Sequence, residues 1–442
     1  MSHETHDPSP ATAAHGVSPD PASGAVRRRL LMLAYPVLIL AIAASFWGRM
    51  AVYFEYYQAR DLLSQRRNRA AISVLRRALG HDPRQVTILQ LLARAHRRLN
   101  HKGVAELLLD RAEALGGDRD WIERERRLVL AQAGHLRAVE PFLADMLIHA
   151  GADGPDICEA FVQGYFSNLR SGPAFRLLDT WQQSYPDDPQ PLFMRAYFWQ
   201  SMNQPGKAIT LYRKGLAMAP GRTTMRRRLA ESLIDADKWD ETESELAICL
   251  RQTPRDPEVH YLLARCAYAR SDLDEAITRL AETIKIAPDH IGAHRLKGQL
   301  DLAEGRVQES IRELERVLAQ HPHDTWAHEA MGRALRAARR DDEADQHFQY
   351  VAEAEKSIGR MDRLVRQSIA KPDDPELRFE IGQILFQYGA PEDAVRWMRA
   401  TLELNPNHVG AHRALAAYFE RIGDSAGAAR HRQLASQASP KP

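Results

Sequence analysis

The sequence predicts an all-α protein whose helices form an α-solenoid of stacked hairpins, preceded by one transmembrane helix. A 34-residue interval separates successive prolines, with one longer gap, in the series Pro186, Pro220, Pro254, Pro288, Pro322, Pro372 and Pro406. Helical apolar faces lie between these prolines, and small residues recur at equivalent places. A period of this length is typical of helical hairpins that bury their apolar faces against each other. A charge-free segment ahead of the repeats predicts the membrane helix.

The N-terminal region divides into a tail and an anchor. Residues 1–26 are rich in Pro, Ser, Ala and His without apolar periodicity, which predicts a disordered tail. The run from Leu30 to Gly48 has 19 residues without a charge and is bracketed by arginines. At about 1.5 Å per residue, this length crosses a hydrocarbon core of about 30 Å. We therefore predict a transmembrane anchor over 27–49, with residues 30–48 contacting the membrane.

A cleaved signal peptide is the main alternative for this segment. The apolar run is longer than a usual secretory core, and the bulky Phe46 and Trp47 make a poor cleavage site, so the sequence favours an uncleaved anchor. Three arginines before the segment favour a tail inside and repeats outside. In a bacterium this gives a single-pass inner (cytoplasmic) membrane protein with periplasmic repeats. Arginines beyond the segment, at 60, 66 and 67, leave the opposite orientation open.

Each period is expected to contain two helices. In 257–288, the first helix is predicted from Glu258 to Arg270, and Ser271 with Asp272 ends it. The second is predicted to begin near Asp274 and to stop at Pro288, because proline lacks the amide donor and clashes with the preceding turn.

The order of large and small residues resembles the tetratricopeptide repeat (TPR) family. In 189–222 the matching residues are Leu192, Ala196, Trp199, Ala208, Tyr212 and Pro220. In 375–408 they are Ile381, Gly382, Leu385, Ala394, Met398 and Pro406. The resemblance implies a right-handed α-solenoid of about ten hairpins. It divides the chain into partly degenerate units in 52–186, regular units in 187–358, an inserted or extended helix in 359–371 and C-terminal units in 372–438.

Two parts of the array depart from the regular period. Residues 119–186 match it loosely, mainly through Ala138, Phe142, Ala174, Leu178 and Pro186. The interval from Pro322 to Pro372 is 50 residues instead of 34. Either the second helix continues through Glu355 toward Ile369, or a short extra helix follows Gly359. The extra residues could be an insertion on a solvent face or a bend that separates the last repeats for partner binding.

The resemblance also implies a concave groove, lined by positions 2, 5, 9 and 12 of the first helices. On this chain those positions give the candidate partner-binding residues Tyr197, Arg227, Tyr261, Arg265, Tyr268, Arg295, Trp326, Arg333, Arg336, Phe379, Phe386 and Arg413. Arginine beside aromatic rings suits an acidic or aromatic peptide segment, or an anionic polysaccharide. Several of these side chains could instead cover neighbouring repeats.

The sequence carries no pattern for catalysis, a cofactor or nucleic acid. Metalloprotease, nucleophile-elbow, P-loop and dinucleotide motifs are all missing, so we expect no enzyme activity and no cofactor. With a net charge of +2, the chain lacks the basic field of nucleic-acid binders. His260, His294, His328 and His412 share position 4 of a first helix, which indicates packing residues with a polar tip rather than metal ligands.

The cysteines do not identify the compartment. Cys158, Cys249 and Cys266 are an odd set without a close pair, and each lies in a helical apolar pattern, as expected of small buried residues. Three unpaired thiols slightly favour a reducing compartment. A disulfide between Cys249 and Cys266 stays open, since adjacent repeats pack together.

Taken with the resemblance, these patterns predict a membrane-tethered scaffold or assembly factor that binds partner protein segments in its groove. Two alternatives remain. One is an accessory component of envelope polysaccharide synthesis or export, and the other is a cytoplasmic-facing regulatory adaptor of envelope biosynthesis.

Overall fold

The computed structural model describes residues 50–371 and 373–438, and all regular structure in these ranges is helical. The predicted tail (1–26) and anchor (27–49) lie outside the described residues. In the ranges that the structure covers, no helix has both the length and the apolar character needed to cross a membrane.

The described helices form eleven sequential pairs, close to the number of hairpins that the period predicts. They are α1 (50–64), α2 (Asn68–His81), α3 (Val86–Arg98), α4 (Lys102–Ala114), α5 (Arg119–Gln132), α6 (Leu136–Val139), α7 (Leu143–Ile148), α8 (Gly154–Ser167), α9 (Ser171–Ser184), α10 (Gln190–Ser201), α11 (Pro205–Met218), α12 (Thr223–Ile234), α13 (Trp239–Gln252), α14 (Pro257–Ala269), α15 (Leu273–Ile286), α16 (Ile291–Ala303), α17 (Val307–Gln320), α18 (Thr325–Ala337), α19 (Asp341–Ala370), α20 (Pro375–Tyr388), α21 (Pro391–Leu404), α22 (Val409–Arg421) and α23 (Ser425–Ala438). Helices α6 and α7 together occupy the place of one second helix.

The chain divides into two compact units, one ending at Ile122 and the other starting at Glu123. The first unit has its own apolar core, which includes Leu75, Leu89 and Leu109. In the second unit, successive hairpins pack in chain order and bury a series of apolar clusters between them. This is the arrangement expected when no hairpin can bury its apolar face alone.

In ten of the eleven described hairpins, the turn has one residue in the left-handed backbone region; the turn between α20 and α21 is the exception. This residue recurs at the period of the array, as Arg66, Asn100, Gly134, Leu169, Asn203, Asp237, Ser271, Gly305, Arg339 and Gly423. Such a residue ends the first helix and turns the chain toward the second. Only glycine adopts this conformation without a steric cost, so most of these turns carry local strain.

Exchanging residues at two of these turns should change stability in opposite directions. Arg339→Gly relieves the left-handed arginine and should raise the free energy of unfolding by about 0.5–1 kcal/mol. Gly305→Ala should lower it by about 1 kcal/mol; no atom lies near the added Cβ, so the cost is conformational. Urea unfolding followed by circular dichroism measures both. Changes of the same sign would contradict the strain argument.

The second helices end just before the periodic prolines. In the predicted example, the helices run from Pro257 to Ala269 and from Leu273 to Ile286, within one or two residues of the expected limits. Ala287 lies outside the helical region, because the following proline disfavours the helical conformation there.

The four position-4 histidines pack between helices and form a repeated hydrogen bond. In His260, His294, His328 and His412, Nε2 lies 2.7–3.0 Å from the carbonyl oxygen of the periodic proline six residues earlier. Nε2–H therefore donates in each. The Nδ1 atoms differ in their partners: in His294 it lies 2.6 Å from the Glu313 carboxylate, and in His412 it faces another histidine. The bond to the proline carbonyl joins the start of each first helix to the end of the preceding second helix.

In the last hairpin, Nδ1 of His412 lies 2.9 Å from Nδ1 of His431. Burial, with the neighbouring His412 and Arg430, lowers the pKa of His431 from 6.5 to about 4. The folded state therefore favours the neutral ring, and the unfolded chain binds more protons between these two values. Protonation of His431 therefore does not affect the free energy of unfolding above pH 6.5, and it lowers that free energy as the pH falls from 6.5 toward 4.

We expect His431→Gln to flatten the pH dependence of stability between pH 6.5 and 4, because an amide can still donate to His412 but does not titrate. Urea midpoints measured across this window test the expectation. His149 is exposed, so His149→Gln is the matched control and should leave the slope unchanged. An unaltered slope in His431→Gln would refute the assignment.

One continuous helix occupies the irregular interval between Pro322 and Pro372. Helix α19 has 30 residues, against 14 in most other second helices, which is the first of the two arrangements considered from the sequence. The first 14 residues of α19 end at the buried Ala354, and Leu364 on its extension is also buried, so the extension is packed rather than fully solvated. Arg360 on the extension pairs with Glu380 on α20 at 2.7 Å.

The loosely matching segment 119–186 has a dense core. Phe161, Tyr165 and Trp181 are buried in a single cluster there. The second helix of its first pair is broken by a 3-10 turn, Glu140–Phe142, which contains Pro141. The weak sequence match therefore reflects a broken helix and not a missing core.

Within the second unit, α21 contacts the turn after α5 and the end of α8. Arg399 donates to the carbonyl of Ala133 at 3.3 Å, a separation of 266 residues. Asn168 donates to the Glu403 carboxylate at 3.0 Å, and Arg137 donates to the Glu403 carbonyl. Burial raises the pKa of Glu403, although Arg170 and Arg137 favour its charged form. We call this contact the closing contact.

Candidate functional site

The twelve predicted groove residues lie on the first helices of consecutive hairpins, from α10 to α22. The structure brings some of them together and uses others to join neighbouring hairpins. Four of the five at position 5 contact the residue that caps the next first helix, and they do so in two ways; the fifth, Arg413, lies on the last first helix.

At two hairpin junctions, position 5 is an arginine that pairs with an aspartate cap. Arg227 Nη1 lies 3.1 Å from Asp256 Oδ2, and Arg295 Nη1 lies 2.9 Å from Asp324 Oδ2. The other carboxylate oxygen of each aspartate accepts a backbone N–H in the first turn of its helix. Each arginine thus orients a cap, and each also lines a surface depression.

At two further junctions, position 5 is aromatic and the cap is a histidine. The ring centres of Tyr261 and His290 are 4.8 Å apart, and those of Phe379 and His408 are 4.5 Å apart. Both histidines accept a backbone N–H through Nδ1. Tyr261 and Phe379 therefore contribute to packing between hairpins, the role that the sequence left open for part of the set.

Five predicted residues converge on one depression of about 370 Å³ between α14, α16 and α18. We call it the aromatic depression. Its predicted members are Tyr261, Arg265, Tyr268, Arg295 and Trp326, and the further lining residues are Trp239, Ala269, Leu296 and Gln299. Trp326 is 66% exposed and Tyr268 is 38% exposed, so both rings offer apolar surface to a ligand.

Of the two arginines in this depression, Arg265 is the one without an acidic partner among the described residues, whereas Arg295 pairs with Asp324. Within the described ranges, the Arg265 side chain forms no hydrogen bond or ion pair. Burial raises the pKa of Asp235, and the charge of Arg265 partly offsets this effect. Arg265 also borders a second, polar depression lined by Arg227, Arg228 and Glu231. It therefore stands where an apolar surface meets a charged one.

The remaining predicted residues lie elsewhere. Arg228 sits over the exposed Tyr197 ring at 5.1 Å, while Arg333 and Arg336 pair with Glu329 and Asp345 on their own hairpin. Phe386 packs against Tyr418, and Arg413 borders a separate depression near the C-terminus.

The repeat positions used for the prediction did not identify two lining residues. Trp239 begins a second helix, whereas only first helices were considered. Gln299 lies on a first helix but is neither charged nor aromatic. In the sequence, Trp239 is marked only as part of the apolar pattern of this second helix.

The cysteines offer no reactive thiol in the structure. All three are buried and free, so Cys249 and Cys266 are not bridged. Burial raises the pKa of Cys158 to about 12 and that of Cys249 and Cys266 to about 11, which disfavours the nucleophilic thiolate. Over the ranges described, no group of three or more His, Cys, Asp or Glu side chains is placed to hold a metal ion.

The fold and this site define a helical-repeat protein with a ligand-accessible depression on its first helices. One tetratricopeptide repeat model matches residues 244–300, and another matches 56–120, 295–357 and 346–409. These matches cover about half of the sequence, and the chain belongs to the tetratricopeptide repeat family. It is a TPR scaffold, of the class used for protein–protein interaction. No curated protein matches the chain.

Solved structures match parts of the chain at low identity. The crystal structure of MamA has 19% identity over 37% of this chain and 96% of that one, with a TM-score of 0.31. The human IFIT1 dimer with PPP-AAAA has 14% identity over 81% and 91%, with a TM-score of 0.42. YrrB, described as a TPR protein with an unusual peptide-binding site, has 14% identity over 54% and 96%, with a TM-score of 0.30.

Proposed function

We propose that this protein is a membrane-tethered scaffold that binds a segment of a partner protein in the aromatic depression. The observation that carries the proposal is the available Arg265 beside the exposed rings of Tyr268 and Trp326. A few aromatic and arginine side chains often supply most of the binding free energy at an interface. No bond-making chemistry is required at such a site.

The residues of the depression indicate the chemistry of the partner segment. A carboxylate would pair with Arg265 through two parallel hydrogen bonds, which only a planar guanidinium offers. An apolar or aromatic side chain would lie against Tyr268 and Trp326 and remove their exposed surface from water. The segment that fits is therefore acidic, with a large apolar residue close to the acid.

The proposed tether is the charge-free run from Leu30 to Gly48. Its length suits a single crossing, and the arginines before it support periplasmic repeats. A tether confines scaffold and partner to the same surface, which raises their effective concentration and makes a weak contact sufficient. The scaffold would thereby gather envelope proteins beside the inner membrane.

Photocrosslinking of the full-length protein in cells tests the binding proposal. A photoreactive phenylalanine analogue at Tyr268 should capture a partner protein, and Arg265→Glu should reduce capture by about 30-fold, corresponding to about 2 kcal/mol. Arg312→Glu, on the exposed face of second helix α17, is the matched control and should leave capture unchanged. Equal capture by both variants would refute the site, and captured material that resists proteases would indicate a glycan instead.

Protease treatment of the same cells tests the location separately. Cleavage of the repeats after the outer membrane is opened supports periplasmic repeats. Cleavage only after the inner membrane is lysed would overturn that orientation.

A further inference from the structure

The first described helix, α1, has two unlike faces. Val52, Ala59 and Leu63 are buried in the core of the first unit, on one side of the helix. On the other side lie four large apolar residues that are exposed: Met50 (50%), Tyr53 (59%), Phe54 (70%) and Tyr57 (48%). We call these four residues the aromatic stripe.

The stripe is a continuous surface because its members follow the helical spacing i, i+3, i+4 and i+7. Its rings also contact each other, with the centres of Tyr53 and Tyr57 4.7 Å apart. No described residue covers it sufficiently to exclude water. A soluble helix that is already packed on one face normally presents polar groups on the other, so an apolar second face indicates a second apolar environment.

The position of the stripe in the chain identifies this environment. Only Arg49 separates Met50 from Gly48, the end of the charge-free run. From Met50 to Tyr57 a helix advances about 10 Å, comparable to the interfacial layer of about 5–8 Å on each side of the hydrocarbon core. Tyrosine suits this layer, since its ring is apolar and its hydroxyl can stay hydrated. Beyond the stripe the exposed residues become polar, starting with Gln58, Arg60 and Asp61.

We infer that the aromatic stripe is a lipid-facing surface that lies in the interfacial layer of the bilayer. The inference rests on the proposed tether and adds a second contact to it. With the stripe in the interface, the first hairpin is held against the membrane at a second point.

Fluorescence quenching on the full-length protein in vesicles of phosphatidylethanolamine and phosphatidylglycerol tests the inference. An environment-sensitive dye is attached at Phe54→Cys, with Tyr57→Cys as a second reporter and Ser64→Cys as the control on an exposed polar position of α1. The three native cysteines are buried, so labelling is selective. Flotation of the protein with the vesicles is measured in the same samples.

We expect the dyes at 54 and 57 to be several-fold brighter than the dye at 64. Nitroxide-bearing lipids should quench them and iodide should not, while the dye at 64 should respond to iodide. Flotation with iodide quenching at all three positions would refute the lipid-facing stripe and leave the tether standing. If neither nitroxide lipids nor iodide quench the dye at 54, protein covers this position, and that result would also refute the inference. Failure to float would refute the tether and the stripe together.

Discussion

Replacement of Trp181 by alanine is expected to lower the free energy of unfolding by about 3–5 kcal/mol. Trp181 is fully buried on α9, in the same cluster as Phe161 and Leu178. Its Nε1–H donates to Asp188 Oδ2 at 3.1 Å, so truncation removes a hydrogen bond as well as apolar contacts. The remaining cavity is surrounded by helices that cannot collapse without moving the hairpins. Urea unfolding followed by circular dichroism measures the change.

Two control variants separate the loss of volume from other effects. Trp181→Phe retains most of the ring and should cost clearly less than the alanine variant. Trp326→Ala removes the same side chain from an exposed site and should change stability by no more than about 0.5 kcal/mol. If Trp181→Ala were as mild as Trp326→Ala, the dense core assigned to segment 119–186 would be wrong.

Gly164→Ala is expected to destabilise the protein by about 2 kcal/mol or more, although alanine favours helices. An added Cβ at Gly164 would lie 2.1 Å from the carbonyl oxygen of Ala131 and 3.0 Å from Leu136. The first obstacle is backbone, so α8 would have to move away from α5. Thermal and urea unfolding both report the loss.

Gly206→Ala is the matched control for this substitution. Gly206 lies in the first turn of α11, and no atom lies within 4 Å of its added Cβ. Here alanine should raise stability by up to about 1 kcal/mol, because it lowers the backbone entropy of the unfolded chain. The same exchange should therefore have opposite signs at the two sites. A gain in stability at Gly164 would show that α5 and α8 are not in close contact.

Much of the fold could be predicted from spacing alone. The interval between prolines located the hairpins because the end of a second helix is a local property, set by the missing N–H and the steric clash of proline. The length of α19 could not be decided, since both a long helix and a helix with a break fit an interval of 50 residues. The broken second helix near Pro141 was likewise hidden, because it keeps its buried residues while losing the period.

The candidate site was predictable where side-chain direction follows from helix position. Positions 2, 5, 9 and 12 selected Tyr268, Arg265 and Trp326, which the structure brings together. The same rule also selected Arg333 and Arg336, whose acidic partners lie on their own hairpin. Whether an arginine forms an ion pair depends on its rotamer and on the side chains of neighbouring helices, and repeat position alone does not predict these.

The closing contact has a consequence for how the second unit loses its structure. A linear array of repeats frays from its ends, since a terminal hairpin has one neighbour only. Here α21, in the hairpin before the last one described, is hydrogen-bonded to a residue 266 positions earlier, so fraying from the C-terminal hairpin is expected to stop at α21. Hydrogen exchange should therefore give α21 and the turn at Ala133 similar protection, released in one opening event. On folding, this long-range contact must form late, because it closes a loop of 266 residues in addition to the packing of each hairpin on the next.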